Sequence, residues 1–254
     1  MNSGNLFDGI KVLAVARQIA APFATYQLAM HGAEVLTIDN PREVDSMRLV
    51  AGAGNGLAKH AMSHSFLAQA ANKKSMQLDF SMAKGQDIFR RLAAESDVVV
   101  ENLVAGGMAT YGLAYDDLKQ VNPRLIYCFV TGYGQTGPTA RRAAIDGAVQ
   151  AASGLMSLSG TRETGPMKVG FLMADYATGY AAALGIVSAL YYRSLTGEGQ
   201  YIDCAMLDTA MTMAGADLCE AATTGNYKPL RGNGDGRYIS NGQRVDPDAL
   251  SMPN

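Results

Sequence analysis

The chain has 254 residues, enough to bury a large core as one α/β domain or as two smaller ones. Its formal net charge is −2 and it contains no run of Lys or Arg, which argues against nucleic acid as the principal partner. The three cysteines form no CxxC pair and are expected to be buried, reduced thiols of a cytoplasmic protein. No basic region followed by an apolar stretch opens the chain, so no secretory signal is expected.

The first half of the chain alternates short apolar runs with helix-like stretches. The apolar runs predict strands at 11–14, 34–38, 76–79, 97–100 and 125–129, and a later one at 201–205. Helical patterns fall at 20–30, after a capping Ser81, near 146–156, from Asp175 onward and at 207–222. Apolar strands separated by helices are typical of a parallel sheet covered on both faces. The predicted fold class is therefore α/β, with a doubly wound, mostly parallel, Rossmann-like sheet.

The composition changes near residue 225. Residues 8–225 are predicted to form one large domain, whereas 226–254 are rich in Gly, Asn, Asp, Arg and Pro and offer few apolar side chains to bury. We interpret 226–254 as a linker or the beginning of a truncated small domain, in a fold that is incomplete at its C-terminal end.

Two patterns resemble known motifs without fulfilling them. The hexapeptide GYGQTG at 132–137 matches GxGxxG, but a dinucleotide site carries its glycines after the first strand, which here is followed by ARQIAAPFA. Its glycines are expected to let a ligand approach the backbone closely. His60 and His64 would share one face of a helix, but no Glu stands beside His60, so the zinc-protease pattern fails and no metal site is predicted.

Asp175 is an acid that stands directly before a long uncharged run, from Tyr176 to Tyr192. A buried carboxylate is costly unless it is paired or solvated, so this position indicates either a helix N-cap or a functional charge. The run approaches membrane-spanning length, but it is rich in Ala and Gly and is interrupted by Tyr and Ser. We predict a helix buried on all sides and no membrane partner.

Seven blocks of the chain, taken together, resemble the class III CoA-transferases, which include formyl-CoA:oxalate and L-carnitine CoA-transferases. They occur in the order of that family and carry the following sequences: GIKVLAVARQIAAPFATYQLAMHGAEVLTID, NKKSMQLDF, DVVVENL, NPRLIYCFVTGYGQTGP, IDGAVQAASGLMSLSG, MADYATGYAAALGI and LTGEGQYIDCAMLDT. One block alone would be weak, whereas seven in register are specific.

The resemblance implies a fold, a reaction and a set of residues. It implies the open α/β domain of this family, a smaller second domain, and a homodimer of two interlocked chains. Asp175 falls on the family's catalytic aspartate, which carries CoA between an acyl-CoA and a carboxylic acid through an aspartyl anhydride and thioester. Coenzyme A and acyl-CoA enter as substrates, with no permanently bound cofactor. The implied CoA contacts are Gln18, Ala20, Asn40, Leu78, Asn102, Leu103 and Tyr133.

The chain also departs from the family's pattern. Asn40 and Thr110 stand where family members often carry arginines for CoA phosphates. Phosphate recognition is therefore expected either to be weaker or to use Lys73, Lys74 or Arg48 instead. Residues 231–236 (RGNGDG) loosely resemble the start of a family loop that covers the active site.

Two alternatives to a transferase stay open. The first is an isomerase like 2-methylacyl-CoA racemase, which places a histidine where Ile145 stands; without that imidazole, the transferase is favoured and Asp146 is expected to be structural. The second is a truncated, non-catalytic paralogue that binds CoA.

Overall fold

Six parallel strands form the central sheet of the computed structural model, which describes residues 4–50, 60–226, 230, 239–240 and 243–244. The spatial order is β3-β2-β1-β4-β5-β6. In chain order these are β1 (Lys11–Val15), β2 (Glu34–Asp39), β3 (Lys73–Gln77), β4 (Val98–Glu101), β5 (Ile126–Thr131) and β6 (Tyr201–Ala205). A separate antiparallel pair joins β7 (Ile239–Ser240) and β8 (Gln243–Arg244). The predicted doubly wound parallel sheet is confirmed.

Helices cover both faces of this sheet. They are α1 (Ala20–Met30), α2 (His64–Ala70), α3 (Ala83–Ala94), α4 (Tyr115–Lys119), α5 (Asp146–Ala152), α6 (Met173–Thr196), α7 (Met206–Met213) and α8 (Gly215–Thr224). On one face, alternate residues of β1, β4 and β5 pack with α1 and α6. On the other face, the intervening residues pack with α3 and α4 around Phe89 and Leu118. Because both faces are buried, these strands read as continuous apolar runs rather than alternating ones.

A third cluster holds the beginning of α6 in place. Ala174, in the first turn of α6, packs with Val149 of α5 and with Met206 and Ala210 of α7. The third residue of α6 is therefore fixed relative to the ends of the strands, which matters because that residue is Asp175.

The prediction that the long helix is buried on all sides is wrong. One side of α6 is buried through Ala182, Ile186 and Ala189, whereas Leu184 is 69% exposed and Tyr191 is 68% exposed. The apolar run therefore has one core-facing side and one open side. Within the described ranges, no helix has both the length and the hydropathy that crossing a membrane requires.

Several local predictions also need correction. The third strand lies at Lys73–Gln77 rather than 76–79, because it is a sheet edge whose side chains are mostly exposed. Ser81 does not cap the next helix: its hydroxyl donates to Asp79 Oδ1 at 2.6 Å, and the helix begins at Ala83.

Three further expectations, on the second half of the chain and on the histidine and cysteine side chains, also differ from the structure. The helix predicted at 207–222 is two helices, which meet at Ala214. His60 precedes α2, so it does not share a helix face with His64. Cys128 and Cys204 are buried as expected, whereas Cys219 is exposed.

Candidate active site

The ends of β1 and β4 lie side by side where the strand order reverses. Residue pairing runs from Val12 with Val98 to Val15 with Glu101, so both strands end at the same level. The next strand in sequence after β1 lies on one side of it and β4 lies on the other, which leaves a crevice between their following loops. Ligands of open α/β sheets bind in such crevices, at the carboxyl ends of the strands.

Asn102 joins the two loops at this crevice. Its Oδ1 accepts a hydrogen bond from the Arg17 N–H at 2.9 Å, and its Nδ2 donates to the Arg17 carbonyl oxygen at 2.7 Å. This two-point contact fixes the turn after β1. The next residue, Gln18, has a φ of 66°, a left-handed conformation that non-glycine residues rarely adopt. Strained backbone of this kind is concentrated at functional sites.

Asp175 lies in the first turn of α6 but does not cap it. The N-cap residue is Leu172, and the N–H of Asp175 donates a hydrogen bond to Asp146 Oδ2 at 3.1 Å. Asp146 is 4% exposed, and its other carboxylate oxygen accepts a hydrogen bond from the side chain of Gln150. The N-cap interpretation of Asp175 is therefore wrong. Asp146, as expected, has a structural position.

The surroundings of Asp175 raise the pKa of its carboxyl from 3.8 to about 6. Burial is the largest cause, because it removes water from the charged form, and the negative charge of Asp146 adds to it. A hydrogen bond from the backbone of Ala20 acts in the opposite direction. Asp175 is thus a partly desolvated carboxylate that is still ionised at neutral pH, a state suited to nucleophilic attack.

The side chain of Asp175 lines a cavity of about 190 Å³ at the carboxyl ends of the strands. Four of the seven implied CoA contacts line the same cavity, and these are Gln18, Ala20, Asn102 and Leu103. Segments far apart in the sequence, after β1, after β4 and at the start of α6, are therefore brought together. The half-buried Asp175 carboxylate faces an open cavity and is not sealed in the core.

The other three implied contacts do not line this cavity. Asn40 begins the turn after β2, where its Oδ1 accepts from the Arg42 N–H at 2.9 Å. Leu78 is 8% exposed and packs in the core with Phe80 and Phe89. Tyr133 is half-buried in the loop after β5. Their role in binding CoA stays a prediction.

The cations expected to replace the family's arginines already have partners within the chain. Arg48 pairs with Asp39 at 3.0 Å, and Lys74 pairs with Glu34 at 3.4 Å. Lys73 Nζ donates to the Pro22 carbonyl oxygen at 2.6 Å and to Thr25 Oγ1 at 2.9 Å, and burial lowers its pKa to about 7. All three line a second cavity, of about 420 Å³, which shares Gln18 with the first. The segment 231–236, which loosely resembles the family loop over the active site, lies outside the described residues.

The structure also identifies residues that the sequence patterns missed. Arg142, Thr131 and Met206 line the cavity with Asp175. The basic pair Arg141–Arg142, shortly before Asp146, was the available signal for Arg142. The described residues that line this cavity include no histidine, and Ile145, at the position where the racemase branch has its histidine, is 73% exposed. Among the described residues, no group of three or more His, Cys, Asp or Glu side chains is arranged to hold a metal ion.

Curated proteins with similar sequences are CoA-transferases. The succinyl-CoA:glutarate CoA-transferase of Homo sapiens is 39% identical over 209 residues, which cover 82% of this chain and 47% of the human protein. The succinate–glutarate CoA-transferase of Agrobacterium fabrum is 41% identical over 206 residues, covering 79% of this chain and 51% of the bacterial one. The chain thus spans about half the length of the curated relatives it matches.

A solved structure shares the fold. A CAIB/BAIF family protein from Brucella suis is 36% identical, with a TM-score of 0.84 over 92% of this chain and 62% of that protein. The family model described as CoA-transferase family III matches residues 7–243. The family model and the shared fold agree with the sequence resemblance, so the chain belongs to CoA-transferase family III.

Proposed function

We propose that this protein transfers coenzyme A from an acyl-CoA thioester to a carboxylic acid, with Asp175 as the nucleophile. The observation that carries the proposal is the Asp175 carboxylate, which does not cap its helix and lines an open cavity at the ends of the strands. Family membership and the names of the relatives support the same reaction class.

The first half of the reaction places CoA on the enzyme. An Asp175 oxygen attacks the thioester carbonyl carbon, the C–S bond breaks, and CoA leaves as a thiolate, which gives a mixed anhydride. The thiolate then attacks the aspartyl carbonyl carbon of the anhydride. The donor acid leaves as a carboxylate, and an aspartyl-CoA thioester stays on the enzyme.

The second half of the reaction transfers CoA from the enzyme to the acceptor acid by the same chemistry. The acceptor carboxylate attacks the aspartyl thioester, releases CoA thiolate and forms a second anhydride. Attack of the thiolate on the acceptor's carbonyl carbon gives the new acyl-CoA and restores the Asp175 carboxylate. The energy of the thioester is conserved at each step, provided that water does not reach the anhydride.

The environment of Asp175 suits both halves. Burial and the nearby Asp146 make the carboxylate less solvated than an exposed one, yet its pKa of about 6 leaves most of it ionised at pH 7. The backbone N–H of Ala20 holds the carboxylate in position. Gln18 and Gly132 line the cavity, and the backbone N–H groups of their loops are candidates to stabilise the oxyanions.

The substrates are proposed from the relatives. Proteins named succinyl-CoA:glutarate, succinyl-CoA–L-malate and succinyl-CoA:mesaconate CoA-transferase all match this chain. Succinyl-CoA as donor and a small dicarboxylic acid as acceptor are therefore the first pair to test.

The wider context is also proposed. The family resemblance supports a homodimer, and it supports 226–254 as a linker to, or the beginning of, a second domain. The cysteines without a CxxC pair support a cytoplasmic location. The relatives from Chloroflexus aurantiacus that are named α and β subunits suggest an assembly of two related chains as the other arrangement to test.

Trapping of the aspartyl thioester tests the proposal. The protein is incubated with succinyl-CoA, with and without hydroxylamine, and the peptide that contains Asp175 is analysed by mass spectrometry. We expect a hydroxamate at Asp175, and label exchange between succinyl-CoA and free acids that disappears in Asp175→Ala. Asp208→Ala, at an exposed aspartate of α7, is the matched control and should keep both signals. Equal exchange in wild type and Asp175→Ala would refute the assignment, and absence of exchange in wild type would indicate a protein that only binds CoA.

A further inference from the structure

Arg142 brings a positive charge to the cavity that contains Asp175. It follows the loop after β5, where its N–H donates to the Thr139 carbonyl oxygen at 2.9 Å. Of the described residues that line this cavity, it is the one with a cationic side chain. Arg142 is exposed, and in the described part of the chain it belongs to none of the ion pairs. A cation that lines the same cavity as Asp175, and that forms no ion pair with another described residue, is available to an anionic ligand.

The ligand group that Arg142 meets follows from the size of the cavity. The reacting carbonyl carbon must reach Asp175, so the acyl group or the acceptor acid occupies this space of about 190 Å³. The phosphates of CoA lie at the other end of the pantetheine arm, which is much longer than a cavity of this volume is wide. A cation that shares the cavity with the nucleophile is therefore near the acyl part of the substrate and far from the phosphates.

A second negative charge in this cavity needs compensation. Asp175 lines the cavity, and its ionised carboxylate repels a second anion there. Burial, and after it the charge of Asp146, already make the charged form of Asp175 less favourable and raise its pKa. A dicarboxylic substrate brings one carboxyl group to react and one that stays ionised throughout. The planar guanidinium of an arginine can bind that second carboxylate through two parallel hydrogen bonds.

We propose that Arg142 binds the non-reacting carboxylate of a dicarboxylic substrate and so selects dicarboxylic over monocarboxylic acids. The inference rests on the proposed function and adds to it the residue that recognises the second carboxylate. Arg142 acts here as a specificity-determining residue, because no bond to it forms or breaks.

The neighbouring arginine provides the matched control. Arg141 is exposed, as Arg142 is, but it does not line the cavity. Arg142→Gln and Arg141→Gln remove the same charge from adjacent positions, so any general effect of net charge or of loop conformation should appear in both variants.

The test compares glutarate with butyrate, which lacks only the second carboxyl group, as acceptors of CoA from succinyl-CoA. We expect Arg142→Gln to lower the ratio of kcat/KM for glutarate to kcat/KM for butyrate by roughly tenfold to a hundredfold, the range of a hydrogen-bonded charge. Most of that loss should appear as a higher KM for glutarate. Arg142→Lys should recover part of it, and Arg141→Gln should leave the ratio unchanged.

Three results would overturn the inference. A ratio that is unchanged in Arg142→Gln would show that Arg142 does not distinguish the two acids. Weaker binding of free coenzyme A to Arg142→Gln by calorimetry, with glutarate and butyrate affected equally, would assign Arg142 to the phosphates. If wild type shows no exchange, the proposed function fails, and the inference about Arg142 is then tested by calorimetric binding of glutarate. Equal binding of glutarate by wild type and Arg142→Gln, or no binding by either, would refute the inference.

Discussion

Replacing Asp175 by asparagine should stabilise the folded protein while it abolishes turnover. Asparagine has the same shape and keeps an acceptor for the Ala20 N–H, but it has no charge to desolvate. The carboxyl pKa rises from 3.8 in the unfolded reference to about 6 in the folded protein, so the folded state holds its proton more tightly. The stability that belongs to the protonated form is therefore lost as the pH rises from about 4 to above 6.

The size of this effect follows from the two pKa values. At pH 7 the shift corresponds to about 3 kcal/mol of unfolding free energy, and at pH 4 to about 0.5 kcal/mol. Asp175→Asn should thus gain up to about 3 kcal/mol over wild type at pH 7 and little at pH 4. Activity and stability oppose each other at many active sites for this reason.

Urea unfolding at pH 4, 5, 6 and 7, followed by circular dichroism, measures the difference. Asp208→Asn, at an exposed aspartate of α7, should change the unfolding free energy by less than roughly 0.5 kcal/mol at each pH. A destabilised Asp175→Asn, or a gain that is the same at pH 4 and pH 7, would refute the view that burial and Asp146 hold this carboxylate in an unfavourable charged state.

Three further predictions concern the same region. The kcat/KM of CoA exchange should fall about tenfold between pH 7 and pH 5, because an Asp175 pKa of about 6 leaves about a tenth of the carboxyl groups ionised at pH 5. A kcat/KM that stays constant over this range would contradict the prediction. Glu101 is buried with a pKa raised to about 8, so its ionisation should lower the unfolding free energy by about 3 kcal/mol between pH 4.5 and pH 7. In urea titrations the fall over this range should therefore be about 3 kcal/mol smaller in Glu101→Gln than in wild type, and an equal fall in both would contradict the prediction. Gly179→Ala should cost roughly 1–3 kcal/mol and reduce exchange, because its Cβ would lie 2.8 Å from the Ala20 carbonyl oxygen and push α1 away from α6. In the same helix, the Cβ of Gly185→Ala would lie 3.4 Å from Ile202, an ordinary contact, so the unfolding free energy of that variant should rise by up to about 1 kcal/mol. Equal melting temperatures for the two variants would contradict the packing argument.

The elements that could be predicted from sequence are those whose signals are local. The helix Ala20–Met30 and the strand Tyr201–Ala205 lie where the pattern placed them, since turn residues and apolar runs mark their ends. The edge strand Lys73–Gln77 was misplaced because its lysines and polar side chains face solvent, so burial leaves no pattern in its sequence. The break at Ala214 between two helices is marked only by Gly215, and a single glycine within a helical pattern does not by itself end a helix.

The residue types alone indicated an α/β sheet and singled out Asp175, because an acid before a long uncharged run has few explanations. Only the tertiary structure ruled out the helix cap, since Asp175 lies inside the first turn of α6, after the N-cap residue Leu172, and its own N–H donates to Asp146, which lies 29 residues earlier in the chain. It also decided which implied contacts lie together: Gln18, Asn102 and Asp175 share a cavity, whereas Asn40 and Leu78 do not line it. The physical reason is that the carboxyl ends of parallel strands gather loops from distant parts of the chain, and no local pattern records which of their side chains face one another.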